Sequence, residues 1–97
     1  GVKISVLYDI ALNEEDLDKG VTIDKYYGRK KPVSFRVGAG EVLKGVDEGV
    51  LSMRVGDLRR FIIPPEIAFG ERGIPGLIPE YSTLFVDVKI RFIEDVS

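Results

Sequence analysis

The stretch Thr-Leu-Phe-Val-Asp-Val-Lys-Ile-Arg-Phe-Ile, residues 83–93, alternates apolar and charged side chains through most of its length. In extended backbone, successive side chains point to opposite faces of a strand. One face is apolar and carries Leu84, Val86, Val88, Ile90 and Phe92. The other face carries the charged side chains of Asp87, Lys89 and Arg91. This pattern predicts a long strand with one face in the core.

Three other segments have the composition of strands. Residues 1–8 alternate in the same way, and their apolar side carries Val2, Ile4, Val6 and Tyr8. Residues 33–37 also alternate, whereas residues 57–63 form a β-prone run. The prolines at 64–65 end this run, because proline lacks the N–H that a β-ladder requires. A shorter β-prone segment covers residues 21–23.

Residues 41–51 carry the pattern of a helix. Their apolar positions recur at helical spacing and are Val42, Leu43, Val46, Val50 and Leu51. A turn at residues 38–40 opens the segment, and Glu41 in the first turn complements the helix dipole. Gly45 and Gly49 lie one turn apart, where a sheet or loop could approach closely. We expect this helix to be the only one.

The remaining segments are predicted to be turns and loops. Residues 13–20 are acidic and end in glycine, which indicates a solvated loop, since the ligand spacing of a calcium loop is absent. Residues 26–32 form a basic connector, and residues 66–70 a single helical turn. Residues 71–79 form a long Gly/Pro loop. This loop carries three aliphatic side chains that we expect to be exposed, Ile74, Leu77 and Ile78.

These elements predict an α+β fold. The sequence predicts four to five strands and one helix, without the alternation of strands and helices that a parallel sheet requires. The simplest way to bury the apolar faces of these elements is an antiparallel sheet packed on one central helix. The length of 97 residues fits a single domain over residues 1–97.

Composition narrows the possible functions. The chain has no Cys, His or Trp, which excludes disulfides, thiol nucleophiles, histidine zinc sites and Ser-His-Asp triads. A net charge of -2 argues against a nucleic-acid-binding protein. No apolar run is long enough to cross a membrane. We expect a soluble monomer without cofactor or metal, and take the cytoplasm as its default compartment.

Several longer motifs occur in order and with compatible spacings. They are Val-Gly-Ala-Gly-Glu-Val-Leu-Lys-Gly-Val-Asp-Glu-Gly-Val (37–50), Met-Arg-Val-Gly-Asp (53–57), Arg-Arg-Phe-Ile-Ile-Pro-Pro (59–65), Ile-Ala-Phe-Gly (67–70) and Gly-Ile-Pro-Gly-Leu-Ile-Pro (73–79). Through them the chain resembles, from Tyr8 to Phe92, the FKBP-type peptidyl-prolyl cis-trans isomerases, the immunophilins that bind macrolides. The family fold is a strongly twisted antiparallel sheet around one helix. Residue 1 corresponds to the family's second strand, so we expect residues 1–97 to lack its leading edge strand.

The resemblance implies a pocket between helix and sheet. Its catalytic positions, which orient the bound carbonyl, would be Tyr8, Asp24 and Phe69. Its apolar substrate-binding positions would be Ile23, Val33, Val42, Leu43, Val46, Ile74, Leu77, Ile78 and Val86, and the Leu43 N–H would donate to the carbonyl. We expect Asp24 to form a salt bridge as well, with Arg29, Arg36 or another nearby base, since a buried acid needs a partner.

The chain departs from the family pattern at several of these positions. The floor position is usually Trp and is Val46 here. Three wall positions that are usually Phe are Ile23, Val33 and Val86. Phe69 replaces a Tyr whose hydroxyl bonds the bound carbonyl, and Asp9-Ile10 replaces a Thr-Gly pair. These changes predict reduced isomerase activity and weak macrolide affinity.

Two further functions compete with a prolyl isomerase that aids protein folding. The loss of aromatic side chains favours a non-catalytic FKBP-like module that binds protein partners. Composition alone also allows a small α+β domain with no ligand. The loop at residues 73–79, with Tyr8 and Asp24 retained, favours the isomerase, whose substrates would be proline-containing peptides and proteins.

Overall fold

A computed structural model describes residues 2–23 and 32–95, and within these ranges it contains a four-stranded antiparallel sheet of order β2-β1-β4-β3. The strands are β1 (Lys3–Ala11), β2 (Val33–Arg36), β3 (Leu58–Ile63) and β4 (Leu84–Asp95). The helices are α1 (Glu14–Lys19) and α2 (Lys44–Gly49), with 3-10 turns at Val50–Ser52 and Pro65–Ile67. The antiparallel sheet with α2 against it confirms the predicted α+β class.

The predicted strand at residues 83–93 is β4, which lies between β1 and β3. Leu84, Val86 and Val88 are fully buried, as the alternation predicts. The prediction for Phe92 is wrong, because this side chain is 43% exposed. Ser5 and Val6 of β1 pair with Phe92 and Ile90, so one extra residue bulges from β4 and moves Phe92 away from the core face.

β1 begins close to its predicted position and extends further than predicted, to Ala11. Ile4, Val6 and Tyr8 are buried as expected, whereas Val2 precedes the strand and is exposed. The β-prone run at residues 21–23 is not a strand. Its last residue nevertheless touches the sheet, because the Ile23 N–H donates to the Ile10 carbonyl at 2.8 Å.

The acidic segment at residues 13–20 is a helix, α1, and not the predicted loop. The Asn13 side chain caps it by accepting a hydrogen bond from the Asp16 N–H at 2.8 Å. Gly20 ends it in the left-handed conformation with φ 76°. Leu17 is buried beneath it, so one apolar anchor and two caps are enough to fold a charged segment.

α2 begins at Lys44, three residues after the predicted start at Glu41. Leu43 has extended backbone angles of φ -50° and ψ 136°, which excludes it from the helix. Asp47 holds the turn that precedes α2. Its buried carboxylate accepts hydrogen bonds from the N–H groups of Gly38 at 2.7 Å and Gly40 at 3.1 Å. This carboxylate fastens the preceding turn to the helix.

The close approach predicted at Gly45 and Gly49 is confirmed. A Cβ at Gly45 would lie 2.7 Å from Cγ2 of Ile63, and one at Gly49 would lie 2.7 Å from Cζ of Phe61. Both neighbours belong to β3, so α2 lies directly on the inner face of that edge strand. This packing sets the gap between helix and sheet in which the predicted site lies.

Candidate functional site

Three of the predicted site residues form a buried floor. Tyr8 from β1 is 2% exposed, while Val46 from α2 and Val86 from β4 are fully buried. All three belong to one apolar cluster, so helix and sheet meet beneath the site. A ligand placed there would not touch much of the floor, because the neighbouring side chains cover it.

Six further residues of the predicted pocket are partly buried and pack against the same cluster, and we call them the apolar rim. They are Ile23, Val33, Val42, Phe69, Ile74 and Leu77. Leu43 is 9% exposed and lies at the edge of the core. Every described residue of the predicted pocket therefore belongs to this hydrophobic core or packs against it. Asp24, Arg29 and the basic connector at 26–31 lie outside the described residues.

The loop after β3 supplies one wall of the site. The N–H groups of Ile74 and Ile78 each donate to the other residue's carbonyl at 2.8 Å, which closes a tight hairpin. Ile78 is 4% exposed, so the prediction that it is exposed is wrong. The hairpin turns this side chain into the core, and Ile74 and Leu77 remain partly accessible.

Gly73 makes that hairpin possible. Its φ is 58°, and a Cβ there would lie 2.6 Å from the Pro79 carbonyl oxygen and closer still to that of Ile78. Only glycine fits, because the opposing atoms belong to the backbone of Ile78 and Pro79 on the other side of the hairpin. The shape of this wall is therefore fixed by one residue without a side chain.

A cleft of about 390 Å³ continues outward from the same wall. It is lined by Leu12, Arg72, Pro75, Gly76, Leu77, Ile78, Pro79 and Glu80. Leu77 and Ile78 belong both to this cleft and to the predicted site, so the cleft adjoins the rim. Its charged side chains are one basic residue, Arg72, and one acidic residue, Glu80.

Polar groups at the site are few. Within residues 2–23 and 32–95, the N–H of Leu43 donates to no described acceptor, so it can donate to a ligand carbonyl. Phe69 offers only a ring face, since it has no hydroxyl. In the described part of the chain, no three His, Cys, Asp or Glu side chains are placed to hold a metal ion. Such a site can bind an apolar ring and orient a carbonyl.

Sequence analysis missed an ionic cluster on the opposite face of the sheet. Arg60 of β3 donates to both carboxylate oxygens of Asp87 on β4, at 2.7 and 3.0 Å. It also contacts Asp18 at 2.7 Å and Glu14 at 3.2 Å, both on α1. Hydrogen bonds to Asp87 and then Asp18 raise the pKa of the Arg60 guanidinium well above its usual value. No short motif signals this cluster, because its members are far apart in sequence.

No helix in the described ranges is long and apolar enough to span a membrane.

Comparison with known proteins matches the whole domain to one family. The family model of the FKBP-type peptidyl-prolyl cis-trans isomerases matches residues 1–91. The chain is 42% identical over 97 residues to the peptidyl-prolyl cis-trans isomerase FPR2 of Saccharomyces cerevisiae, covering 100% of this chain and 69% of the relative. It is 49% identical over 78 residues to FK506-binding protein 2 of Aspergillus fumigatus, covering 80% of this chain and 58% of that protein.

A solved structure shares the fold. The crystal structure of AtFKBP13 superposes with a TM-score of 0.80 at 36% sequence identity, covering 97% of this chain and 80% of the other.

Proposed function

The chain belongs to the FKBP-type peptidyl-prolyl cis-trans isomerase family and is an isomerase of this class; we propose that it holds a substrate proline in the apolar rim above Tyr8, Val46 and Val86. The barrier to X-Pro rotation arises because twisting the amide removes its resonance. No proton need move and no covalent bond need form, so the reaction requires neither an acid–base side chain nor a nucleophile. The proposal rests on the apolar rim, beside which the Leu43 N–H donates to no described acceptor.

The proposed mechanism is stabilisation of the twisted amide. A twisted amide is less dipolar than a planar one, so a dry apolar surface favours it relative to water. The rim also holds the proline in one orientation, which lowers the entropic part of the barrier. The Leu43 N–H donates to the carbonyl of the bound peptide, and Tyr8, Asp24 and Phe69 orient that carbonyl.

Activity is proposed to be lower than is usual for the family. Val46 and Val86 contribute little accessible surface, so substrate contacts fall on the partly buried rim. Phe69 can pack against a ligand but cannot donate a hydrogen bond. The substrates are proposed to be proline-containing peptides and segments of folding proteins, and the protein is proposed to act as a monomer.

The unmodified protein is expected to accelerate cis-to-trans isomerisation of short X-Pro peptides, and Phe69→Tyr to raise kcat/KM about two- to tenfold. The gain corresponds to one net hydrogen bond to the carbonyl. A coupled or NMR-exchange rate assay measures both. The matched control is Phe85→Tyr, which adds a hydroxyl on the outer face of β4 and should leave the rate unchanged. A folded protein without any acceleration would contradict the proposal and indicate a non-catalytic binding module.

Macrolide binding is expected to be weak, with a Kd of about 1 µM or higher for FK506. Each aromatic ring of a pocket contributes about 150–250 Å² of contact, and four such positions are aliphatic here. Isothermal titration calorimetry measures the affinity directly. The Phe69→Tyr variant should bind somewhat more tightly, since it restores one hydroxyl. A nanomolar complex with the unmodified protein would show that the rim alone suffices for tight binding.

A further inference from the structure

Arg60 links three elements on the face of the sheet opposite the site. Its guanidinium binds Asp87 of β4 through two hydrogen bonds and reaches Asp18 and Glu14 of α1 through Nη1. The Arg60 and Asp87 side chains are 30% and 24% exposed, whereas those of Glu14 and Asp18 are 57% and 60% exposed. The Arg60–Asp87 pair on the sheet is therefore less exposed than the carboxylates of α1 that Arg60 also contacts.

The chain after α1 runs directly to the rim of the proposed site. Gly20 ends the helix, and the Val21 N–H donates back to the Asp16 carbonyl at 2.8 Å. Two residues later, the Ile23 N–H donates to the Ile10 carbonyl of β1 at 2.8 Å. Ile23 is one of the rim residues that pack against the core. Lys19 is the last residue of α1, so only three residues separate the helix from Ile23.

We propose that Arg60 is a positioning residue for the isomerase site, acting through α1 to hold Ile23 against the rim. The inference rests on the proposed function, since it assigns Arg60 a part in substrate binding at that site. Arg60 does not touch the substrate, because it lies on the outer face of the sheet with Asp87. Its role is to keep one wall of the apolar seat in place.

The salt dependence of KM distinguishes a positioning role of Arg60 from a role in stability alone. The electrostatic screening length falls from about 8 Å at 0.15 M to about 3 Å at 1 M. Exposed pairs are screened more than partly buried ones, so the contacts to Glu14 and Asp18 weaken while Arg60 stays bound to Asp87. Salt raised toward 1 M should therefore loosen α1 and Ile23 without unfolding the sheet, and KM for the peptide should rise.

The decisive variant is Glu14→Gln/Asp18→Asn, which removes both carboxylates that pair α1 with Arg60 and leaves the Arg60–Asp87 pair intact. We expect KM for an X-Pro peptide to rise about two- to fivefold with kcat nearly unchanged, and the salt dependence of KM to disappear. The matched control is Glu15→Gln/Glu48→Gln, which removes the same net charge. Glu15 pairs with Lys19 within α1, and among the described residues neither Glu15 nor Glu48 pairs with Arg60.

Hydrogen exchange provides a readout that does not depend on catalysis. In the Glu14→Gln/Asp18→Asn variant the Ile23 amide should exchange about two- to fivefold faster, while the amide of buried Val88 on β4 should not change. An unchanged KM, or an unchanged exchange rate at Ile23, would overturn the inference. If the unmodified protein lacks isomerase activity, the proposed function fails, and exchange at Ile23 still decides whether Arg60 positions the rim.

Discussion

Replacing Gly73 with alanine is expected to remove most isomerase activity and to lower the free energy of unfolding by about 2–4 kcal/mol. Two penalties combine at this position. The backbone has φ 58°, which is strained for any residue with a Cβ, and that Cβ would collide with the carbonyl oxygens of Ile78 and Pro79. Side-chain atoms could rotate away, but a paired backbone cannot, so the hairpin must open.

Opening the hairpin would disturb the site as well as the fold. Ile74 and Ile78 exchange two hydrogen bonds across it, and Leu77 between them forms part of the rim. Activity should therefore fall even at temperatures where most of the variant remains folded. Peptide isomerisation assays beside urea denaturation of the same samples separate the two effects.

Gly76 provides the control for that experiment. Its φ of 77° is also in the left-handed region, but a Cβ there would meet nothing within 4 Å. Gly76→Ala should cost only about 1–2 kcal/mol of backbone strain and retain most activity. If the two variants lose the same stability and the same activity, the close approach at Gly73 is not what shapes the wall.

Replacing Asp47 with alanine is expected to lower the free energy of unfolding by about 2–4 kcal/mol. The carboxylate accepts two hydrogen bonds from backbone N–H groups, of Gly38 and Gly40, and its removal leaves both donors without this acceptor. Charge-assisted bonds of this kind are stronger than neutral ones. The loss matters for the site because the same turn leads into Val42 and Leu43.

Chemical denaturation of three variants tests this role. Asp47→Asn keeps one acceptor oxygen and should lose about half as much stability as Asp47→Ala. Glu48→Ala changes the adjacent, exposed residue and should alter the free energy of unfolding by no more than about 0.5 kcal/mol. Similar values for Asp47→Ala and Glu48→Ala would show that the two hydrogen bonds contribute little.

The central strands β1 and β4 could be predicted because their apolar side chains alternate in sequence and lie on the buried face of the sheet. β4 is buried on one face, so its period of two appears directly in the sequence, and the same holds for Ile4, Val6 and Tyr8 of β1. Phe92 was predicted incorrectly because a bulge shifts the alternation by one residue. Such a shift depends on pairing with β1, which the local sequence of β4 does not encode.

α1 was missed for a different reason. Its composition is that of a solvated loop, and only Leu17 shows an apolar face. The available signals were an Asn at the N-cap, acidic residues in the first turn and a Gly at the end. The charged composition hides these local signals, and a helix of this length is stabilised mainly by the surface on which it packs.

The burial of the predicted site residues could not be read from the sequence. Resemblance to the family predicts Tyr8, Val46 and Val86 as pocket residues, and only the packed core shows that all three are buried. Burial of Ile78 follows from the backbone hairpin at Gly73 and not from its own residue type. Arg60 was unpredictable because its partners meet only when the sheet and α1 have assembled.

The strand order also determines when this protein can fold. β4 is the last strand in sequence, and it lies between β1 and β3 in the centre of the sheet. Its pairing with β1 joins residues 3–11 to residues 85–95, so a long loop must close before the sheet gains its central ladder. High contact order of this kind slows folding. On the ribosome the domain should therefore remain unfolded until residues 84–95 have left the exit tunnel, and it should then fold in one cooperative step.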